Sequence, residues 1–414
     1  MSLNLALLSN LPEPSAKRIA IRVRPSAERA LRAGHPWLYV DAIRRQSHEG
    51  QAGDLAVIFD RKGRFLAVGL YDPASPIRVR ILHQGRSTPI DEDWFARCIV
   101  TAHQKRQPLR DKATTGYRLV HGENDGLPGL VIDRYAASYV LKLYTAAWIA
   151  HLPAVLTSLS EVTEGEQFVL RLSRKVQQET GSLHGLHDGT ILGRLPLQNP
   201  LMFQENGFTF TCDPIHGQKT GFYLDQRENR HRVEELARGK VLNVFAYTGG
   251  FSLYAARGGA RELVSLDISR PALAVARRHF ELNSKFPAVA AARHMTLAGD
   301  AFTQLHDLAA QKREFDMVIL DPPAFARRRD DVEPALAAYR RLTKLGLAVL
   351  RPGGTLVAAS CSRPVSAPDF FNALHQSAGS IGRRLRELER TGHALDHPLT
   401  FKQGAYLKCL FAVA

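Results

Sequence analysis

The chain has 414 residues, 45% of them hydrophobic and 23% charged, an ordinary balance for a soluble globular protein of about two to four domains. Lys plus Arg number 55 against 40 Asp plus Glu, a net of +15, which favours a polyanionic partner because each phosphate contact releases condensed counterions. No run approaches the ~18 uninterrupted apolar residues of a membrane span, and Cys98, Cys212, Cys361 and Cys409 form no CxxC pair, which argues against a zinc site or a disulfide framework.

The opening MSLNLALLSNLPEPSAKR lacks a basic leader, a long apolar run and a small-residue cleavage site, so no signal peptide is read and a cytoplasmic location is expected. Residues 18–98 then read as a small β-rich unit. RIAIRV (18–23), DLAVIFD (54–60), FLAVGLYD (65–72) and IRVRILH (77–83) alternate and are separated by Gly, Pro and Asp, the pattern of short strands in a compact barrel. In IRVRIL, Ile77, Val79 and Ile81 share one face and Arg78 and Arg80 the other. That arginine face suits either a nucleic-acid backbone or bulk solvent.

Residues 99–114 read as a helix or connector, and 115–195 as a second unit. Turn signals at Asn124-Asp125-Gly126 and Pro128-Gly129 separate strands, SYVLKLYT (138–145) and QFVLRLS (167–173) add further strands, and 146–160 reads as a helix. From about 200 the rhythm changes. VLNVFA (241–246), ELVSLD (262–267), MTLAGD (295–300), FDMVIL (315–320) and TLVAAS (355–360) are short apolar runs with helical stretches between most of them. Strands alternating with helices imply a parallel sheet covered on both faces.

The first of these strands runs into a tight Gly turn and a helix, VLNVFAYTGGFSLYAARGGA (241–260), an arrangement that brings backbone N–H groups close to a ligand. Asp267 ends the next strand, about twenty residues on, where a carboxylate accepts both ribose hydroxyls. The loop Ala246-Tyr247-Thr248-Gly249-Gly250-Phe251 lacks the GxGxxG spacing of dinucleotide enzymes. Asp300 follows the third strand, where it suits an adenine amino group, and Asp321-Pro322-Pro323 ends the fourth. This order points to S-adenosylmethionine. The candidate cofactor residues are Phe245, Tyr247, Thr248 and Gly249, then Asp267, Ile268 and Ser269, then Asp300 and Ala301, and Asp321. No metal is expected.

Cys361, in Ser360-Cys361-Ser362, ends the strand after Asp321. A thiol and a carboxylate at adjacent strand ends suit methylation of a pyrimidine carbon. Carbon 5 becomes nucleophilic once a thiolate adds to carbon 6, and a carboxyl can hold ring nitrogen 3 as charge develops. Most free cysteines are instead small buried hydrophobes, which describes Cys98, Cys212 and Cys409. Arg327, Arg328 and Arg329 follow directly and suit phosphates, or form an exposed charge run at a helix start. Pro323 and Phe325 complete the candidate RNA contacts; Phe325 would stack on a flipped base or pack in the core.

Several strings together resemble one family over nearly the whole chain. They are His35-Pro36-Trp37, Glu123-Asn124-Asp125-Gly126-Leu127-Pro128-Gly129-Leu130, KTGFYLDQR (219–227), NVFAYTGGF (243–251), Asp321-Pro322-Pro323 and Ser360-Cys361-Ser362. The chain resembles the RlmI-type family of bacterial 23S ribosomal RNA (cytosine-C5) methyltransferases with an N-terminal PUA domain. The resemblance implies an α/β chain of three parts: a PUA-like RNA-binding barrel (18–98), a central α+β domain (99–198) and a class I, Rossmann-like methyltransferase sheet (199–414). It implies Cys361 as nucleophile with Asp321 assisting, and Phe222, Gln226 and Arg227 beside the cofactor or base. Arg227 and Arg230 would otherwise lie on a solvated helix face. The partner it implies is large-subunit ribosomal RNA, with no membrane and with a homodimer as the assembly. Relatives that methylate cytosine carry a second cysteine after the Asp-x-Pro segment, where this chain has Ala324. Uridine-C5 methylation, guanine-N methylation and a non-catalytic RNA-binding assembly role are the alternatives.

Overall fold

The computed structural model describes residues 5–163, 165, 167–193 and 196–414, with the side chains of 5, 6 and 402 left aside. Among these residues the chain forms two compact units. The first holds residues up to 207, with 212–224 and 395–401; the second holds 208–211, 225–394 and 402–414.

In the first unit a six-stranded sheet runs in the order Trp37–Tyr39, Ile77–Gln84, Phe65–Tyr71, Leu55–Phe59, Ile19–Val23 and Ile43–Gln46. Period-two alternation builds it. Ile19, Ile21 and Val23 are buried and their sequence neighbours exposed, so one face packs on Leu31, Leu38, Ile58 and Val79. The arginine face of IRVRIL departs from both readings of the sequence. Arg80 is buried and ion-pairs with Asp72 at 3.5 Å, while Arg78 lies over the Tyr71 ring. Asp72 supplies the partner that a buried guanidinium needs, so Arg80 is structural and faces neither backbone nor bulk water.

The same unit carries a four-stranded sheet in the order Gln167–Leu172, Ser138–Leu143, Leu130–Tyr135 and Gly116–His121. The helix Glu92–Lys105, capped by Asp91 accepting from Trp94 N, packs on the helix Leu152–Thr163. Several buried charges in this unit are paired, which offsets their desolvation. Arg106 forms a two-point contact with Asp125, and Arg118 another with Asp133.

The second unit is built on a seven-stranded sheet. Its strands are β1 (Gly239–Val244), β2 (Ala260–Asp267), β3 (Arg293–Ala298), β4 (Phe315–Leu320), β5 (Leu350–Ser360), β6 (Arg386–Thr391) and β7 (Lys408–Val413). The spatial order is β3-β2-β1-β4-β5-β7-β6. The first five are parallel, as the apolar runs predict. The sheet then continues through two antiparallel strands that the sequence reading did not name. β6 reads RELERT and buries no residue fully, so it carries no apolar signal of its own. Helices α1 (Arg227–Leu236), α2 (Gly250–Arg257), α3 (Arg270–Leu282), α4 (Ala301–Ala310), α5 (Val332–Ala348) and α6 (Ala367–Gly379) lie between strands or flank them. Two candidate site residues cap these helices through their side chains, Ser269 for α3 and Asp300 for α4.

Candidate active site

The C-terminal ends of the parallel strands β1, β2, β3, β4 and β5 lie at one edge of the sheet, the edge where open α/β folds hold ligands. β1 ends in a strained turn. Phe245, Tyr247 and Gly249 all have positive φ, at 60°, 47° and 76°. For the two aromatic residues this conformation costs free energy, and such strain collects at functional sites. Gly249 has no alternative: a Cβ there would come within 2.8 Å of the Ala276 Cβ. The turn delivers Gly250 to the start of α2.

Asp267 anchors this turn. Its Oδ2 accepts from Tyr247 N and its Oδ1 from Ser269 N, both at 2.8 Å. Thr248 is fixed through its backbone, since its carbonyl accepts from the buried His279 ring at 2.9 Å. Thr211 N donates to the other ring nitrogen, Nε2, so Nδ1 carries the proton. Burial pushes the His279 pKa down to about 4.

Two features of this loop fit S-adenosylmethionine. The buried Thr248 hydroxyl has no hydrogen-bond partner among the described residues, an orphan that a bound polar group would satisfy. Ile268, directly after Asp267, is 76% exposed and offers an apolar platform suited to a purine ring. Asp300 is exposed at the end of β3, and its Oδ1 accepts from both the backbone N and the hydroxyl of Thr303. Ala301 is buried behind it.

At the end of β4, Asp321 Oδ1 accepts from Gln226 Nε2 at 2.9 Å. Gln226 is held in turn by Asn229, whose Nδ2 donates to its Oε1 at 2.6 Å, and Thr391 donates to Asn229. Arg227 and Arg230 are buried rather than on a solvated helix face, and Arg227 ion-pairs with Glu228 at 3.2 Å. The KTGFYLDQR string divides between the units: Phe222 belongs to the first, buried edge-on against Phe203, and Gln226 and Arg227 to the second.

Cys361 is half-buried, with Sγ 4.0 Å from the carbonyl of Pro322 in the Asp-Pro-Pro segment. The adjoining serines are locked by Tyr339, whose hydroxyl lies 2.8 Å from both Ser360 Oγ and Ser362 Oγ. Phe325 is half-buried and tilted against the Tyr339 ring at 4.9 Å. Pro323, Arg327, Arg328 and Arg329 are exposed, and the backbone N–H groups of Arg327 and Arg328 both donate to Asp331. Sequence reasoning missed Asn229, Tyr339 and Lys408. Only Lys408 left a signal, as a lone cation inside the apolar run YLKCLF. Its Nζ donates to the carbonyls of Ser362 and Val365 at 2.6 and 2.7 Å.

The other thiols are unsuited to chemistry. Burial raises Cys98 to about 11, and raises Cys212 and Cys409 strongly. No helix among the described residues is long and apolar enough to cross a membrane.

Comparison with known proteins gives the same picture. The profile of an S-adenosylmethionine-dependent methyltransferase family matches residues 189–408, and that of a PUA-like domain matches 21–84. A ribosomal RNA large subunit methyltransferase of Deinococcus radiodurans is 47% identical over 406 residues, covering 97% of this chain and 98% of the relative. Ribosomal RNA large subunit methyltransferase I of Aliivibrio fischeri is 35% identical, covering 94% and 98%. Among solved structures, a Streptococcus mutans S-adenosylmethionine-dependent methyltransferase superposes with a TM-score of 0.79 at 21% identity, covering 95% of this chain and all (100%) of that one. A methyltransferase solved with S-adenosylhomocysteine has the same TM-score of 0.79, identity of 21% and coverage. At that identity the likeness is one of fold.

Proposed function

Because the chain belongs to the family of S-adenosylmethionine-dependent ribosomal RNA large subunit methyltransferases, we propose that it methylates carbon 5 of a cytosine in large-subunit ribosomal RNA through a Cys361 adduct. The observation that carries this reading is Cys361 Sγ beside the Asp321-Pro322-Pro323 segment, at adjacent strand ends.

S-adenosylmethionine supplies the electrophilic methyl group. Phe245, Tyr247, Thr248 and Gly249 would hold it with Asp267, Ile268, Ser269, Asp300 and Ala301, and Gln226 and Arg227 are further candidate contacts to cofactor or base. The Cys361 thiolate adds to carbon 6, and the electron pair of the ring double bond moves toward carbon 5. The Asp321 carboxyl, oriented by Gln226, would carry a proton when it meets ring nitrogen 3 and donate to it as negative charge develops there. Carbon 5 takes the methyl group, its proton leaves to a base, and the returning pair restores the double bond and expels the thiolate. Reaching carbon 5 requires an unstacked base. Pro323 and Phe325 are the proposed base contacts and Arg327, Arg328 and Arg329 the proposed phosphate contacts. The PUA-like barrel is the proposed second grip on RNA, within the division 18–98, 99–198 and 199–414.

The test is incubation with labelled S-adenosylmethionine and unmodified bacterial large-subunit ribosomal RNA, wild type beside Cys361→Ala, with nucleosides identified by mass. Label in 5-methylcytidine that disappears in Cys361→Ala is the expected result. Label in 5-methyluridine would replace the base; label in a methylguanosine that survives Cys361→Ala would overturn the thiolate chemistry.

A further inference from the structure

Lys408 is an anomaly in the second unit. It opens β7 opposite Ser360, is only 6% exposed, and its Nζ is held by two neutral carbonyls, those of Ser362 and Val365. Among the described residues no carboxylate lies within ion-pair distance of it, whereas other deeply buried cations of this chain, Arg80 and Arg106, each have one. A buried cation without a counter-ion is costly, so its presence needs a reason.

The titratable group that acts on it electrostatically is Cys361. We propose that Lys408 is a positioning residue for the Cys361 thiolate: its ammonium ties down the turn that follows the thiol and supplies the countercharge when the thiol ionises. The inference rests on Cys361 being the nucleophile. Two effects pull against each other at this amine. Burial lowers its pKa to about 8, and Cys361 raises it. An ammonium held only by neutral carbonyls in the resting enzyme gains most when an anion forms near it. The thiol proton leaves to solvent, the pair on sulfur forms the bond to carbon 6, and the same pair returns to sulfur on elimination. Lys408 therefore faces an anion before and after the adduct and exchanges no proton itself. Ionisable groups on the elements about the thiol include Tyr339 from α5, bonded to both flanking serines, Asp321 at the end of β4, and Arg363 two residues along the chain. Of these, Tyr339 is neutral below its raised pKa.

The experiment is the pH dependence of iodoacetamide alkylation at Cys361, read by peptide mass in the full chain, for wild type, Lys408→Met and Lys408→Arg, with unfolding midpoints measured alongside. In wild type the alkylation midpoint is expected below the roughly 8.5 of an ordinary thiol. Lys408→Met should raise it by about one pH unit, a tenfold loss of thiolate near neutral pH, and Lys408→Arg should restore it. An unchanged midpoint in folded Lys408→Met, or an arginine variant that shifts as far as the methionine one, overturns the proposal. If Lys408→Met does not fold, the wild-type midpoint decides: at or above about 8.5, Lys408 is structural only. Alkylation does not depend on methyl transfer, so 5-methylcytidine formation surviving in Cys361→Ala would sink the nucleophile reading separately.

Discussion

The side-chain amide of Gln226 donates a 2.9 Å hydrogen bond to Oδ1 of Asp321, joining positions separated by 95 residues. Gln226 opens a helix otherwise rich in charge, and Asn229 and Thr391 fix its orientation. A carboxyl held in this way stays aimed at one place, the condition for meeting the charge that develops as the thiolate adds. Gln226→Leu should lower kcat by on the order of tenfold to a hundredfold with little change in KM for RNA. Steady-state kinetics with direct titration of S-adenosylmethionine separates this from cofactor binding: a weaker Kd with kcat intact would make Gln226 a cofactor contact instead.

Gly249→Ala places a Cβ within 2.8 Å of Ala276 at a φ of +76°. The expected cost is about 1–3 kcal/mol of stability, together with loss of S-adenosylmethionine binding because the turn must move. Thermal unfolding and cofactor titration check both, and a variant that binds normally would remove the turn from the site.

Ile268 is 76% exposed, so truncation to Ser should leave stability within about 0.5 kcal/mol. If a purine ring covers it, the same change should weaken S-adenosylmethionine binding by roughly tenfold. Equal affinity for both proteins would place the ring elsewhere.

His279 gives the fold an acid limit. Its folded pKa of about 4 lies below its ordinary value of 6.5, so the unfolded chain binds the extra proton between those values. Stability is therefore full above about 6.5 and falls as pH drops toward 4, by up to about 3 kcal/mol. His294, also lowered to about 4 by burial, adds to the same window. The added proton falls on Nε2, which accepts from Thr211 N, so that contact is the one lost, while Nδ1 still donates to the Thr248 carbonyl. His279→Gln should flatten the pH dependence of unfolding, and a curve parallel to wild type would assign the acid loss to other groups.

Arg327, Arg328 and Arg329 are exposed, and no ion pair engages their guanidinium groups among the described residues. Replacing all three with Ala should weaken RNA binding. It should also reduce the slope of log K against log salt by about 0.7 for each single-strand phosphate that is no longer neutralised. An unchanged slope measured by fluorescence anisotropy would return these residues to plain solvent-exposed charge.

Much of the second unit is legible in residue order alone. Five apolar runs became five parallel strands; burial on both faces demands uninterrupted hydrophobic residues in the central ones, while β3, at the edge, buries none fully, and the acidic and glycine positions at their ends follow from chain direction. Packing in three dimensions settled what local pattern cannot carry. β6 owes its place to pairing with β7, Arg80 owes its burial to Asp72, and Arg227 is buried on a helix whose composition reads as solvated. The grip of Gln226 on Asp321 and of Lys408 on the turn after Cys361 arose in the same way. The physical reason is that a polar group's partner is set by distance in space: Gln226 and Asp321, and Lys408 and Ser362, lie far apart in sequence, and only the folded sheet brings them within hydrogen-bond reach.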